Sequence, residues 1–279
     1  MKLGTARALI TGGAGGIGSA IAAELLKGGA SVLLADVNVQ ALAATAARLP
    51  GDRERVATVA ADLTDPAGRT ALCTQAARWR VNVLVNNAGV NHFGLFDELS
   101  AGQVTQTVSL NVLAPLLLVH ELLPHLKEQP EAHVLNMGSV FGNIGYPGYA
   151  AYSASKFAVR GFSEAMRREL ADTRVRVHYL APRATRTPIN PPAVVRMNAE
   201  LKVAMDPPET VARAARKMLE RNAGAAVIGW PEKFFARLNA ILPGLVDGAI
   251  VRQLPVIRRH ARDQTASQSP GQEIRRKTA

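Results

Sequence analysis

Cysteine occurs once, as Cys73. A disulfide framework is therefore excluded, and a reducing, cytoplasmic setting is the default expectation. Long apolar runs are absent as well: no stretch reaches the ~18 uninterrupted apolar residues of a bilayer span. The opening residues, MKLGTARALITGG, carry one lysine and a short apolar run broken by glycines. That run is too short for the core of a secretory signal, so none is expected. No ligand set for a metal ion is read. Acidic residues are scarce against basic ones, leaving a net charge of +11. No nucleic-acid-binding motif accompanies this excess, so a nucleic-acid partner is not expected. The excess is concentrated at the end, where residues 251–279 hold seven Arg/Lys against Asp263 and Glu273. This stretch reads as a solvated basic tail; attraction to an anionic membrane surface or an acidic partner is the sharper alternative.

What is present suits a soluble globular chain with a sizeable core, since 48% of the residues are hydrophobic and 20% charged. Short apolar runs at 8–10, 31–35, 56–60, 81–85, 134–137, 175–180 and 225–228 read as strands. Longer stretches with helical spacing lie at 17–27, 42–49, 104–126, 154–170 and 209–221. Strand runs separated by ten or more helical residues imply parallel pairing through crossover helices. SVLLA and VNVLV are apolar nearly throughout, as strands covered on both faces are. The expectation is one α/β domain, a Rossmann-type doubly wound parallel sheet, over residues 1–229. Residues 230–261 then read as an apolar and basic helical extension. Residues 262–279 read as a disordered basic tail.

Between the first strand and the first helix lies ALITGGAGGIG. Gly13, Gly15 and Gly18 fit one glycine spacing; Gly12, Gly16 and Gly18 fit another, with Ile17 between the last two. Glycines there let backbone approach a pyrophosphate that the helix N-terminus attracts. Asp36 ends the second strand, where a carboxylate can accept both hydroxyls of an adenine ribose and would repel a 2′-phosphate. No cation lies in the glycine loop or in the following DVNVQ, so NAD is favoured over NADP. Asp62 and Leu63 follow the third strand; Asp62 suits either the adenine amino group or a helix cap near Asp65-Pro66. Asn86-Asn87-Ala88-Gly89 ends the fourth strand in a turn against the cofactor.

In YSASK, Tyr152 and Lys156 are four residues apart and share one helical face. A neighbouring ammonium favours the phenolate and lowers the tyrosine pKa, which makes the phenol usable as an acid/base. Ser139 follows the fifth strand, where its hydroxyl suits a developing oxyanion. Asn111 sits inside an apolar helical stretch and needs buried partners.

In this order and approximate spacing, TGGAGGIG, Asp36, Asp62-Leu63, NNAG, Asn111, Ser139 and Tyr152-x-x-x-Lys156 resemble the short-chain dehydrogenase/reductase family over roughly residues 5–230. The resemblance implies an Asn111–Ser139–Tyr152–Lys156 tetrad. In it Tyr152 exchanges the proton, Ser139 orients the carbonyl, Lys156 lowers the tyrosine pKa and holds the ribose, and Asn111 supports a proton relay. A nicotinamide carries the hydride. The family's Pro-Gly after the sixth strand is Pro182-Arg183 here. Thr187 still matches the expected contact to the nicotinamide amide, and Arg183 and Arg186 are read as facing water. The resemblance further implies a homodimer or homotetramer through the stretches 103–126 and 152–170. Residues 189–208 fall where the family carries its substrate lid, and read locally as a mobile loop.

The expected activity is an NAD-dependent oxidation of a secondary alcohol, or reduction of its ketone. A hydrophobic, lipid-, acyl- or steroid-like substrate is expected. The alternatives are an NADPH-dependent ketoacyl-type reductase and a family member docked peripherally on a membrane through residues 230–260. That segment, WPEKFFARLNAILPGLVDGAIVRQLPVI over 230–257, is open to three readings: a cover over the substrate mouth, a subunit contact, or a membrane-surface helix.

Overall fold

The seven apolar runs become seven parallel strands, described here in a computed structural model covering residues 1–268. They are β1 Arg7–Thr11, β2 Ser31–Asp36, β3 Val56–Ala60, β4 Val83–Asn86, β5 Ala132–Met137, β6 Val175–Ala181 and β7 Ala225–Val227. Their order across the sheet is β3-β2-β1-β4-β5-β6-β7. Neighbours pair in parallel throughout, with Leu9 opposite both Leu33 and Leu84. The winding reverses between β1 and β4, and at such a switch point the carboxyl ends of the strands open a crevice.

Strand side chains alternate between two cores, because the pleat has a period of two. Ala8, Ile10, Val32, Leu34, Val83 and Val85 enter one core. Leu9, Leu33, Ala35 and Leu84 enter the other. The helices supply the opposite walls. On the first side lie α1 (Gly16–Lys27), α2 (Val39–Arg48) and α8 (Pro208–Arg221). On the second lie α3 (Pro66–Arg78), α5 (Ala114–Glu128) and α6 (Ala150–Glu169). The buried face of α8 is Val211, Ala212, Ala215, Met218 and Leu219, a spacing that keeps one stripe inward. Leu118, Leu122 and Leu126 of α5 are fully or almost fully buried, each worth roughly 1.5–3 kcal/mol of transfer free energy.

The expected helix over 104–126 is not continuous. It divides into α4 (Ala101–Val108), a π-turn over Ser109–Leu113, and α5. Pro115 gives the reason: it has no N–H to offer the carbonyl of Asn111, four residues back, and its ring crowds that carbonyl. By length and composition Ala101–Glu128 is apolar enough to cross a bilayer; its buried leucines instead close the second core. The lid stretch is not a plain loop either. Pro192–Glu200 forms α7, with Ala193, Val194 and Met197 buried, and Pro192 stands in the first turn, where a missing N–H costs nothing. The extension folds as α9 (Glu232–Ile241), α10 (Pro243–Val251) and α11 (Leu254–Gln268). Helix α11 continues seven residues into the stretch expected to be disordered; residues 269–279 of that expectation lie outside the described residues.

A buried imidazole pair joins β5 to β6. His133 and His178 stack with Nδ1 of the first 2.7 Å from Nε2 of the second. His178 Nδ1 donates to the carbonyl of Ala223, 2.7 Å away. Burial pushes His178 down to about 4 and His133 in the same direction. The folded state thus keeps His178 neutral where the unfolded chain takes up a proton. Stability from this source is complete above pH ~6.5 and is lost as pH falls toward 4, by about 2–3 kcal/mol. Urea unfolding midpoints at pH 7, 5.5 and 4 are expected to fall more steeply for wild type than for His178→Gln.

Candidate active site

The glycine turn is shaped by two close approaches. Gly12 has φ +62°, and a β-carbon on Gly18 would meet the Gly12 carbonyl oxygen at 2.2 Å. A side chain at Gly18 is therefore excluded, and helix α1 begins tightly against the loop. Its N-terminus has no side-chain cap and no acidic residue in its first turn. The first-turn N–H groups at the sheet's carboxyl edge are left for an anion. The donor set and the close backbone approach fit a dinucleotide pyrophosphate. Asp36 lies beside this turn: its Oδ2 accepts from Ala14 N–H at 3.2 Å, and its Oδ1 accepts from Asn38 N–H at 3.1 Å. Ile17 packs its side chain at the edge of the first core. Thr187 reaches the same place from the chain that follows β6. A β-carbon on Gly16 would stand 2.9 Å from the Thr187 methyl.

Asn87 lies against the glycine turn. Its Nδ2 donates to the carbonyls of Thr11 (3.0 Å) and Gly12 (3.2 Å). Thr11 Oγ1 in turn accepts from the N–H groups of Asn87 and Ala88, both at 3.0 Å. The pair ties the β4 turn to the glycine turn, and Asn87 acts by holding the backbone. Thr11 was not singled out by its sequence position, although it opens the TGG run. Asp62 folds back on Thr64, accepting from its N–H at 2.8 Å and its hydroxyl at 2.7 Å. These bonds hold its carboxyl below the usual range. Asp65, not Asp62, caps α3, accepting from Gly68 N–H at 2.9 Å. Leu63 is buried beneath the crevice.

The four tetrad residues converge at the carboxyl ends of β4 and β5. Asn111, 2% exposed, uses its whole carboxamide on neighbours. Oδ1 accepts from Val90 N–H at 2.8 Å; Nδ2 donates to Val90 O at 2.9 Å and to Ser155 Oγ at 3.2 Å. It pins the strand-end turn to helix α6. Ser139 leads from β5 into a short 3₁₀ turn, its Oγ accepting from Phe141 N–H at 3.1 Å. Tyr152 sits in the first turn of α6, and a hydrogen bond joins its phenol to Ser139. Lys156 is buried and donates to the carbonyl of Met137 at 3.0 Å, with Nζ 5.5 Å from the Tyr152 ring centroid.

The electrostatics differ from the simple picture of an ammonium lowering a phenol. Burial dominates both groups: Tyr152 is pushed up to about 12, only partly offset by the Ser139 bond, and Lys156 is pushed down to about 8. Removing water penalises each lone charge more than its partner relieves it.

The phenol is enclosed by aromatic and apolar groups. Phe141, Tyr146 and Tyr149 surround it, with ring centroids of Phe141 and Tyr149 6.4 and 6.2 Å from Tyr152. Met197 and Val194 of α7 and Ile257 of α11 complete the cluster. The tyrosines of YPGYAAY recur every third residue, a visible signal that sequence reading used only at Tyr152. Tyr146 also donates its hydroxyl to Gln253 Oε1 at 2.6 Å, tying the site to the start of α11. A cavity of about 180 Å³ opens beside this cluster between Asn91, Phe93, Pro188, Pro191 and Gln264.

Arg183 does not face water. Its Nε and Nη2 donate to the two carboxylate oxygens of Asp206 at 2.9 and 2.7 Å, and its Nη1 lies 3.5 Å from Glu232. The guanidinium therefore joins the end of β6, the far end of the lid and the first turn of α9. Arg186 is exposed, as expected.

Comparison with known proteins agrees with this fold. The short chain dehydrogenase family model matches residues 6–197. The oxidoreductase UcpA of Escherichia coli K12 is 30% identical over 239 residues, 84% of this chain and 89% of its own. A short chain dehydrogenase/reductase from Burkholderia phymatum in complex with NAD superposes with a TM-score of 0.79 at 26% identity, covering 88% of this chain and 96% of that one. One from Sphingobium yanoikuyae in complex with NADPH gives 0.73 at 26% identity, over 87% and 95%. A parallel sheet with an uncapped glycine-rich helix start at its switch point defines a dinucleotide-binding α/β protein. The chain belongs to the short chain dehydrogenase family and is an oxidoreductase that uses a nicotinamide dinucleotide.

The buried lysine makes the site costly to the fold. Lys156→Met removes a charge held below its ordinary pKa and is expected to raise stability at pH 7 by about 1–3 kcal/mol. In wild type the buried amine sheds its proton before the unfolded chain does, so stability rises from pH 8 to pH 10. Urea titrations across that window are expected to show the rise in wild type and its loss in Lys156→Met.

Proposed function

We propose that this chain catalyses the NAD-linked interconversion of a hydrophobic secondary alcohol and its ketone, with Asn111, Ser139, Tyr152 and Lys156 as its working residues. The observation that supports it most is the phenol of Tyr152, bonded to Ser139, one helical turn from Lys156 and walled by Phe141, Tyr146, Tyr149 and Met197. When bound, the dinucleotide supplies the hydride acceptor or donor and, oxidised, a positive charge. Tyr152 Oη takes the alcohol proton in one direction and returns it to the carbonyl oxygen in the other. Ser139 Oγ donates to that same oxygen as charge develops on it. Lys156 Nζ, fixed by the Met137 carbonyl, holds positive charge beside the phenolate. Asn111 contributes twice: its carboxamide sets the turn at Val90, and its backbone carbonyl, which Pro115 cannot serve, receives a relay water. The aromatic wall excludes bulk water and favours an apolar substrate body.

NAD is the cofactor in this reading, supported by Asp36 at the end of β2 beside the glycine turn and by the lack of Lys or Arg in the glycine loop and in DVNVQ. Fluorescence titration is expected to give NADH at least ~10-fold tighter than NADPH, the discrimination a buried-edge carboxylate provides against a phosphate; tighter NADPH binding overturns it. An alcohol and ketone panel with NAD and NADP tests the reaction itself. Tyr152→Phe is expected to bind NADH normally and to lose roughly 10²–10⁴-fold in turnover. Equal turnover of the two proteins discards the assignment.

A homodimer or homotetramer belongs to the same reading. Val108, just before the π-turn, Leu113, its last residue, and Phe157 of α6 are 47%, 52% and 41% exposed, on the two stretches the family resemblance names. Sedimentation velocity is expected to show a dimer or larger for wild type and a smaller species for Leu113→Glu/Phe157→Glu.

A further inference from the structure

We propose that helices α9 and α10 form a docking surface for anionic lipid bilayers. Large apolar side chains are unusually bare there. Trp230, Ile241 and Leu245 are 73%, 76% and 65% exposed, and Phe234, Phe235, Leu242 and Val251 are exposed too. The inward side of the same helices is satisfied: Leu238, Val246 and Ile250 pack with Val140 and Ile144. Phe234, Arg237 and Ile241 stand at i, i+3 and i+7, hence on one face of α9. The rings of Trp230 and Phe235 each contact that of Phe234 at the start of that helix. An exposed aromatic cluster followed by bare aliphatics fits the boundary between headgroups and acyl chains.

Charge chooses the occupant. Residues 230–261 carry five Lys/Arg against Glu232 and Asp247. Glu232 is engaged by Arg183, whereas Lys233, Arg237 and Arg252 enter none of the ion pairs among the described residues. A second copy seated by two-fold symmetry on this face would bring the same cations against each other. A bilayer containing anionic lipid brings the opposite charge, and the arginine and lysine stems reach past the apolar side chains to it. With α9 and α10 each about ten residues long, the helices lie on the bilayer and do not cross it. This docking goes beyond the reaction proposed above, and its test reads sedimentation, not turnover.

The test uses the full chain with large unilamellar vesicles of phosphatidylcholine alone and of phosphatidylcholine with phosphatidylglycerol, at low and high salt. Wild type is expected to co-sediment with the anionic vesicles, less so at high salt, and little with the neutral ones. Trp230→Ser/Phe234→Ser/Ile241→Ser is expected to lose most of that binding. Lys233→Glu/Arg237→Glu/Arg252→Glu is expected to lose it by at least ~10-fold, at about one tenfold step or less per charge. All these positions are exposed, and circular dichroism with thermal melting verifies that each variant is folded. Failure of wild type to sediment, or equal sedimentation with neutral vesicles, overturns the proposal. So does an apolar variant that keeps its vesicle binding while its mass in solution drops, since the face is then a contact between copies.

Discussion

A phenol and an ammonium enclosed together in an apolar pocket set the terms for this molecule. Neither is at ease there: burial raises the tyrosine and lowers the lysine. Each is nonetheless held by a single well-placed oxygen, Ser139 for the phenol and the Met137 carbonyl for the amine. A surface tyrosine costs the fold nothing and does no acid/base work near neutral pH. The enclosed one is poised so that a further positive charge on the same side shifts it, and the low dielectric that penalises it alone strengthens that attraction.

Holding two such groups requires a rigid frame, and the sheet provides it from both sides. The β4 turn is tied to the glycine turn through Thr11 and Asn87. The same turn is tied to α6 through Asn111 and Ser155. Ser155 Oγ passes the constraint to the carbonyl of Tyr152 itself, 2.7 Å away. The glycine turn, Asn111 and helix α6 are thus joined by side-chain hydrogen bonds, to backbone at Thr11, Gly12, Val90 and Tyr152 and to a side chain at Ser155. Under the switch point, Asn86 donates to Asn136, which donates to Ser163 on α6, at 2.8 and 2.9 Å. These buried amides keep β4, β5 and α6 in register where apolar packing alone would let them slide.

Local periodicity made much of this legible. Seven apolar runs separated by helical stretches imposed a parallel sheet, and the sheet brought every strand-end motif to one edge. Asp36, Ser139 and the NNAG turn were therefore placed by topology as soon as their strands were recognised. What stayed hidden depends on partners remote in sequence. Arg183 reads as a solvated cation until Asp206, 23 residues on, and Glu232, 49 residues on, are brought to it. The bonds from the Asn87 amide to Thr11 and Gly12 are hidden in the same way, because those residues lie 76 and 75 positions back along the chain. The π-turn was visible in Pro115, but apolar spacing outweighed it. Tyr146 and Tyr149 precede Tyr152 at intervals of three residues, and successive rings meet tilted and edge-on; that spacing is in plain view, but only its last member carries a recognisable motif.

The extension is more than an appendage to this frame. Arg183 fastens α9 to the end of β6 and to Asp206, and Gly229, with φ +103° and no side chain, lets the chain pass against that arginine. Tyr146 fastens the start of α11 to the loop that leads into α6. Ile257 and Ala261 of α11 then close the aromatic pocket from above, against α7. The helices with bare apolar faces and the helix that roofs the phenol are consecutive, and both are bonded to the elements that hold the site. A glycine in place of Arg183 would leave Asp206 without its bidentate partner and the lid free of α9. The arginine thus ties the stretch that ends at Asp206 and the extension that begins at α9 to the same strand end.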